Sequence, residues 1–189
     1  MDKFWKKPAF AGVGLVCAVV ALVGMGAAEA KPAPKPTFSQ TAAFDRLKRL
    51  DGRWTGSAIV GPGTLPQVTH EFRTTSGGYA VTETLFAGTD MEMLSVFHMS
   101  GDDLVLTHYC SFGTQSNMKL DVENSTPDEL RFVFVGGHNI PDPQKDRHIH
   151  NIRLRFNGTG RIESEILAHV GGKPAEIARS SLSRTPSGK

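Results

Sequence analysis

The sequence predicts an all-β protein, an up-and-down antiparallel barrel of about ten strands preceded by one short helix. Three observations lead there. From Gly52 onward the apolar period is 2, the signature of half-buried strands. The alternating runs are separated by short Gly, Pro, Asn and Asp clusters, which join antiparallel neighbours. An uninterrupted meander of this kind is most simply closed on itself, because closure removes exposed edges and an even strand count pairs last with first antiparallel.

The elements follow in order. Lys3, Lys6 and Lys7 precede an apolar run from Ala9 to Ala28, and Ala28-Glu29-Ala30 fits the small-x-small rule for signal peptidase, so residues 1–30 read as a signal peptide cleaved near Ala30. Export to the periplasm or the medium follows. An uncleaved membrane anchor is the alternative, since the run is roughly 20 residues long; the mature chain itself carries no expected membrane span. Residues 31–38 alternate prolines and form a linker. Ser39 stands before Phe44, Leu47 and Leu50 at helical spacing, with Gly52 beyond the end, which predicts one helix. Strands are expected at 52–60, 67–74, 78–86, 91–99, 104–112, 116–123, 130–135, 148–156, 161–168 and 174–182, giving a lipocalin-like barrel domain over 39–185.

Composition narrows the function classes. Residues 31–189 number 159, enough for one core, and hold 18 basic against 17 acidic residues, a balance that gives nucleic acid no purchase. Cys110 is the single cysteine after residue 30, so this exported chain has no internal disulfide. No phosphate-binding glycine loop, nucleophile elbow or Cys-x-x-Cys pair is present.

Two short patterns carry the candidate chemistry: His108-Tyr109-Cys110 and His148-Ile149-His150. Residues two apart in a strand share a face, so each aims two ligand-type side chains at one surface. A hairpin turn at Gly101-Asp102 sets Phe97 opposite Leu106, Ser95 opposite His108 and Met93 opposite Cys110. A three-residue loop at Asn157 to Thr159 sets Leu154 opposite Ile162 and Arg153 opposite Glu163, with His148 and His150 facing the lumen. Strand direction then brings both patterns to one rim, with the helix and Trp54 at the opposite end and the long 136–147 connection crossing the rim as a candidate lid.

The short helix, the segment Leu50-Asp51-Gly52-Arg53-Trp54 and the meander resemble the calycin superfamily, the lipocalin-like barrels. That resemblance implies a tryptophan packed across the closed end and an open mouth for a small, often apolar, ligand. Gly88-Thr89, Glu92-Met93, Thr107-His108-Tyr109-Cys110, Gly113 and Gln115 resemble a recurring pattern in exported bacterial proteins of unassigned function. Nitrobindin-like barrels, which hold haem through one histidine in ten strands, are a closer structural analogy; their signature does not match residue by residue, and no haem ligand is carried over.

Three functional readings remain. In the first, a small, partly apolar molecule enters at the rim bearing His108, Cys110, His148 and His150, with Ser95, Phe97 and Gln115 also lining the site, and packs on Phe97, Leu106, Phe132, Phe134, Ile152 and Leu154. In the second, His108, Cys110, His148 and His150 hold zinc, or one histidine holds haem, or His148 or His150 activates Cys110 as a nucleophile. In the third, the lumen is filled and the barrel is a non-catalytic interaction module.

Overall fold

The computed structural model describes residues 38–186, so the leader over 1–30 and the linker up to residue 37 lie outside the described residues. Among the described residues, one α-helix of more than a single turn is followed by ten strands. The helix, α1 (Gln40–Lys48), begins at Ser39, whose hydroxyl accepts from the Ala42 N–H at 3.3 Å, and buries Ala43, Phe44 and Leu47. It is too short to cross a membrane, and no other described helix is long and apolar enough to do so.

The strands are β1 (Gly52–Val60), β2 (Gly63–Thr75), β3 (Ala80–Leu85), β4 (Met93–Ser100), β5 (Asp103–Tyr109), β6 (Gln115–Leu120), β7 (Glu129–His138), β8 (His148–Asn157), β9 (Arg161–Val170) and β10 (Lys173–Arg184). Each pairs antiparallel with its chain neighbours, and β1 pairs with β10 to close the barrel. Alternation decides what goes inside: Phe97, Leu104, Leu106, Leu130, Phe132, Ile152 and Leu154 are all fully buried and fill the lower lumen.

Trp54 seals the base. Its indole N–H donates to the Leu50 carbonyl at 2.7 Å, its ring meets Phe72 edge-on, and the Arg184 guanidinium lies 4.4 Å above it. Arg184 also donates to the carbonyls of Asp51 and Arg49, tying the last strand to the end of the helix. On the far side of the base, Gln40 receives the Leu104 N–H at 2.9 Å, which locks the helix onto the β4–β5 hairpin.

The expected β4–β5 register holds residue for residue: Ser95 faces His108, Phe97 faces Leu106 and His98 faces Val105. In the β8–β9 hairpin the register differs from expectation by two residues, with Leu154 opposite Ser164, Arg153 opposite Glu165 and Phe156 opposite Ile162. Asn157 stays in the ladder opposite Arg161, and Gly158, at φ +70°, starts the loop in a conformation that favours glycine. A two-residue slip keeps every side chain on its face, so the inward set was unaffected below Asn151.

Above Asn151 the alternation breaks. A bulge inserts His150 between Ile149, opposite Ala168, and Asn151, opposite Leu167. A second bulge at Val135 bends the facing part of β7, and the β7–β8 ladder ends at Val133 opposite Asn151. The connection after β7 is shorter than expected, because β7 runs on to His138. It is pinned as well: Ile140 is buried, the Asn139 amide donates to the Gly113 carbonyl at 3.0 Å, and the Lys145 carbonyl accepts from Gly171.

Candidate functional site

The barrel interior is stratified. Across its middle runs a belt of buried polar side chains, namely His70, Glu83, Ser95, His108, Ser116, Ser164 and Ser180. Cross-strand pairing places Glu83 beside Ser95, Ser95 beside His108, His108 beside Ser116, and Ser164 beside Ser180. Hydrogen bonds join part of it: Ser95 Oγ to His108 Nδ1 at 2.9 Å, His70 Nδ1 to Glu83 Oε1 at 2.9 Å, and Ser180 Oγ to His70 Nε2 at 3.3 Å. Four buried atoms of the belt, Glu83 Oε2, His108 Nε2, Ser116 Oγ and Ser164 Oγ, have no hydrogen-bond partner in the chain. Buried polar atoms are nearly always satisfied, so these four call for water or a guest molecule.

Above the belt is a cavity of about 260 Å³ at the open mouth. Phe86, Met91, Met93, Ile149, Ile166 and Ala168 give it an apolar wall, while Cys110, Ser111 and Arg147 stand at the polar side. Met93, Cys110, Ile166 and Ala178 each lie two residues along their strands from Ser95, His108, Ser164 and Ser180, so the belt underlies the cavity. Phe86 makes the contact direct, with its ring 5.3 Å from that of His70.

Burial governs the electrostatics here. With no charge nearby to offset desolvation, the His108 pKa is pushed down to about 4, and the ring is neutral at neutral pH. Burial likewise pushes the Cys110 thiol up, against smaller lowering from backbone groups of Phe112 and Ser111 and from Arg147. The Cys110 sulfur sits 3.7 Å from the Met93 thioether, and its backbone N–H closes a tight turn onto the Thr114 carbonyl. A thiolate is disfavoured in such surroundings, which does not suit a nucleophile.

The residues singled out from sequence separate into three places. His108 and Ser95 belong to the belt and Cys110 to the cavity wall, whereas Phe97, with Leu106, Phe132, Ile152 and Leu154, fills the lower lumen and leaves the cavity wall to other apolar residues. Gln115 lies at the rim, donating to the Gly113 carbonyl at 3.2 Å and accepting from Asn139. His148 and His150 do not line the cavity; Ile149 does. The physical reason is the bulge, which makes the inward residues of β8 Ile149 and Ile152 in place of an unbroken 148, 150, 152 series.

Outside the cavity, His148 and His150 meet His169, the cross-strand partner of His148. One ring nitrogen from each lies within 4.8 Å of the other two, and among the described residues this is the one such three-ligand group. His108 and Cys110 are not part of it. Burial, then the neighbouring imidazoles of His169 and His148, push the His150 pKa down to about 4, and burial followed by His148 lowers that of His169. Phe134 packs against this group, its ring 4.4 Å from His148 and 5.5 Å from His150.

Sequence reasoning passed over His70, Glu83 and His169. His70 and Glu83 sit at inward positions of β2 and β3, but the turn between those strands, Ser76 to Gly78, is a 3-10 helix that gives no simple residue count from which to draw their register. His169 offered no signal either, since its place depends on the bulge. Haem does not fit the mouth cavity: its wall contains no imidazole, and about 260 Å³ is below the range of roughly 300–1,000 Å³ that suits even drug-sized ligands.

Fold and site together define a closed ten-stranded antiparallel β-barrel with a small apolar chamber at one mouth and a polar belt beneath it. No protein-family model matches the chain, and no curated protein does. Among solved structures, it is similar to a protein of unknown function from the DUF3598 family of Nostoc punctiforme, with a TM-score of 0.49 and 10% identity. The match covers 82% of this chain, which spans about half (53%) of that structure.

Proposed function

We propose that this protein is an exported, calycin-like carrier that takes one small molecule, largely apolar and tipped with a hydrogen-bonding group, through its open mouth. The observation that carries the reading is the apolar cavity next to a belt with unsatisfied buried polar atoms, two of which, on His108 and Ser164, belong to residues two along the strand from the cavity residues Cys110 and Ile166. Burial of hydrocarbon against Phe86, Met93, Ile149 and Ile166 supplies affinity, and the two cavity methionines adapt to an irregular shape. A polar tip directed past Cys110 points toward His108, the next inward residue of the same strand, whose unpartnered Nε2 belongs to a neutral ring and so offers a directional bond without a charge to desolvate. The guest is smaller than a typical drug molecule, given the volume. Cleavage of the leader near Ala30 belongs to the same proposal and is checked by N-terminal sequencing of the secreted product.

The test fills the chamber. Ala168 lines the wall and is 3% exposed, so Ala168→Phe places a ring where the guest packs. Binding of the fluorophore 1-aminoanthracene is expected at one equivalent in the parent protein and at least tenfold weaker in Ala168→Phe with an unchanged circular dichroism spectrum. Native mass spectrometry is expected to detect a retained small molecule that Ala168→Phe lacks. Equal fluorophore binding by both proteins would reject the mouth as the site.

A further inference from the structure

The three histidines at the β7–β8 divide form a second centre, outside the cavity. Their arrangement differs from simple ring packing in its hydrogen bonds. His148 Nδ1 lies 2.9 Å from the Asp146 carbonyl, and a carbonyl only accepts, so Nδ1 carries the hydrogen. In the neutral ring Nε2 is then a lone pair, and it is directed at His150 Nδ1, 3.0 Å away. A histidine whose outer nitrogen is fixed by a backbone carbonyl while the inner one is left bare is the arrangement found around bound metals.

The spacing agrees. Two imidazole nitrogens held at about 2.0–2.1 Å by one tetrahedral ion stand roughly 3.4 Å apart. The His148–His150 pair is within a few tenths of an ångström of that. His169 completes the group, with its ring stacked 3.7 Å from His150 at 7°. It must turn about its outer torsion to aim a nitrogen inward, and its half-buried position leaves room for the turn. His148 is fully buried while the other two are half-buried, so the group is closed behind and open in front.

We propose that His148, His150 and His169 bind one first-row transition-metal dication of the zinc class, with the fourth position facing solvent and taken by water or a small anion. Three neutral imidazoles without a carboxylate select borderline ions such as zinc over magnesium or calcium, which require oxygen ligands. Binding exchanges the His150-to-His148 hydrogen bond for two metal–nitrogen bonds: the proton on His150 Nδ1 leaves, and its Nε2 is protonated in turn, so the ring remains neutral. Three histidines with one open position is also the ligand count of hydrolytic zinc centres. The bulge at His150 is what assembles it.

The test uses the full-length protein without a polyhistidine tag, dialysed against chelator and then titrated with zinc by calorimetry and with cobalt(II) by visible absorption. One equivalent is expected for each ion, with cobalt giving visible ligand-field bands of a four- or five-coordinate site and not those of the hexaaquo ion. His169→Ala and His150→Ala each weaken binding at least tenfold, Cys110→Ser leaves metal binding unchanged, and 1-aminoanthracene binding at the mouth persists in both histidine variants. His169 lies toward the surface, so its variant is expected to fold; His169→Gln serves as a second, isosteric check. Absence of stoichiometric binding, retention of full affinity in His169→Ala and His150→Ala, or loss of it in Cys110→Ser overturns the proposal.

Discussion

His108 shows most clearly how a single side chain here couples structure to chemistry. It is fully buried, bonded to Ser95 on one nitrogen and unpartnered on the other, and burial has moved its pKa from 6.5 to about 4. A histidine whose folded value lies below its unfolded one takes up protons preferentially in the unfolded chain. Its penalty is therefore absent above pH 6.5 and grows as the pH falls from 6.5 toward 4, reaching at most about 3 kcal/mol. Urea midpoints measured from pH 7.5 down to 4.5 should fall steadily, and His108→Gln, which keeps a bond to Ser95 but does not titrate, should flatten that decline. An unchanged slope in the variant would mean the ring is not held neutral by burial. Ser95 and His108 were legible as partners because a two-residue turn at Gly101-Asp102 sets the register. His70 was not, since its partner Glu83 lies across a hairpin whose turn, Ser76 to Gly78, is a 3-10 helix with no simple count.

Strands depart from ideal pairing at four bulges, and these decide local geometry. The one between β1 and β2 lies in β2, where Pro66 and Gln67 together oppose Ser57, and beside it Gly56 runs so close to β10 that an added Cβ would lie 1.9 Å from the Ser181 carbonyl oxygen. Backbone cannot yield there without opening the closing seam, so Gly56→Ala should cost about 1–3 kcal/mol or more by overpacking. A urea midpoint equal to the parent's would contradict that. The bulge at His150 matters for function, because it turns a pair predicted to face the lumen into part of a separate histidine group. Period-2 counting cannot reveal it: an extra residue has no mark in the sequence until the partner strand's hydrogen bonds are known. The hairpin at Asn157 to Gly160 is a milder case, in which two loop placements differ by one position and only the ladder chooses between them.

At the scale of the molecule, closure couples the base to the mouth. Every strand is bonded on both sides, so neither end can loosen while the other keeps its neighbours. Trp54 at the base and Cys110 at the mouth, the latter 8% exposed, report on opposite ends. In a Trp5→Phe, Cys17→Ser background, the urea transitions followed by Trp54 fluorescence and by Cys110 thiol labelling should coincide. Labelling that precedes the fluorescence change would show a mouth that opens on its own. Surface ion pairs add cross-links between strands, with Glu129 on β7 joined to Arg155 on β8, and Glu165 on β9 to Arg153 on β8 and Arg179 on β10; within β7, Glu129 also pairs with Arg131. Glu129 is held below the usual carboxylate range despite burial, because Arg155 and Arg131 hydrogen-bond its charged form.

The amino-acid order by itself determined the class of fold, the strand count and the helix at the base. Those properties depend on periodicity and turn chemistry, which are local and are written within a few residues of where they act. Tertiary structure alone decided that the lower lumen is packed, that the cavity wall runs through Met93, Ile149 and Ala168, and that His148 and His150 join His169. Each of those outcomes turns on how far one strand is displaced against another around a closed cylinder, a quantity set by the sum of all ten pairings and by their bulges, and therefore absent from any single segment.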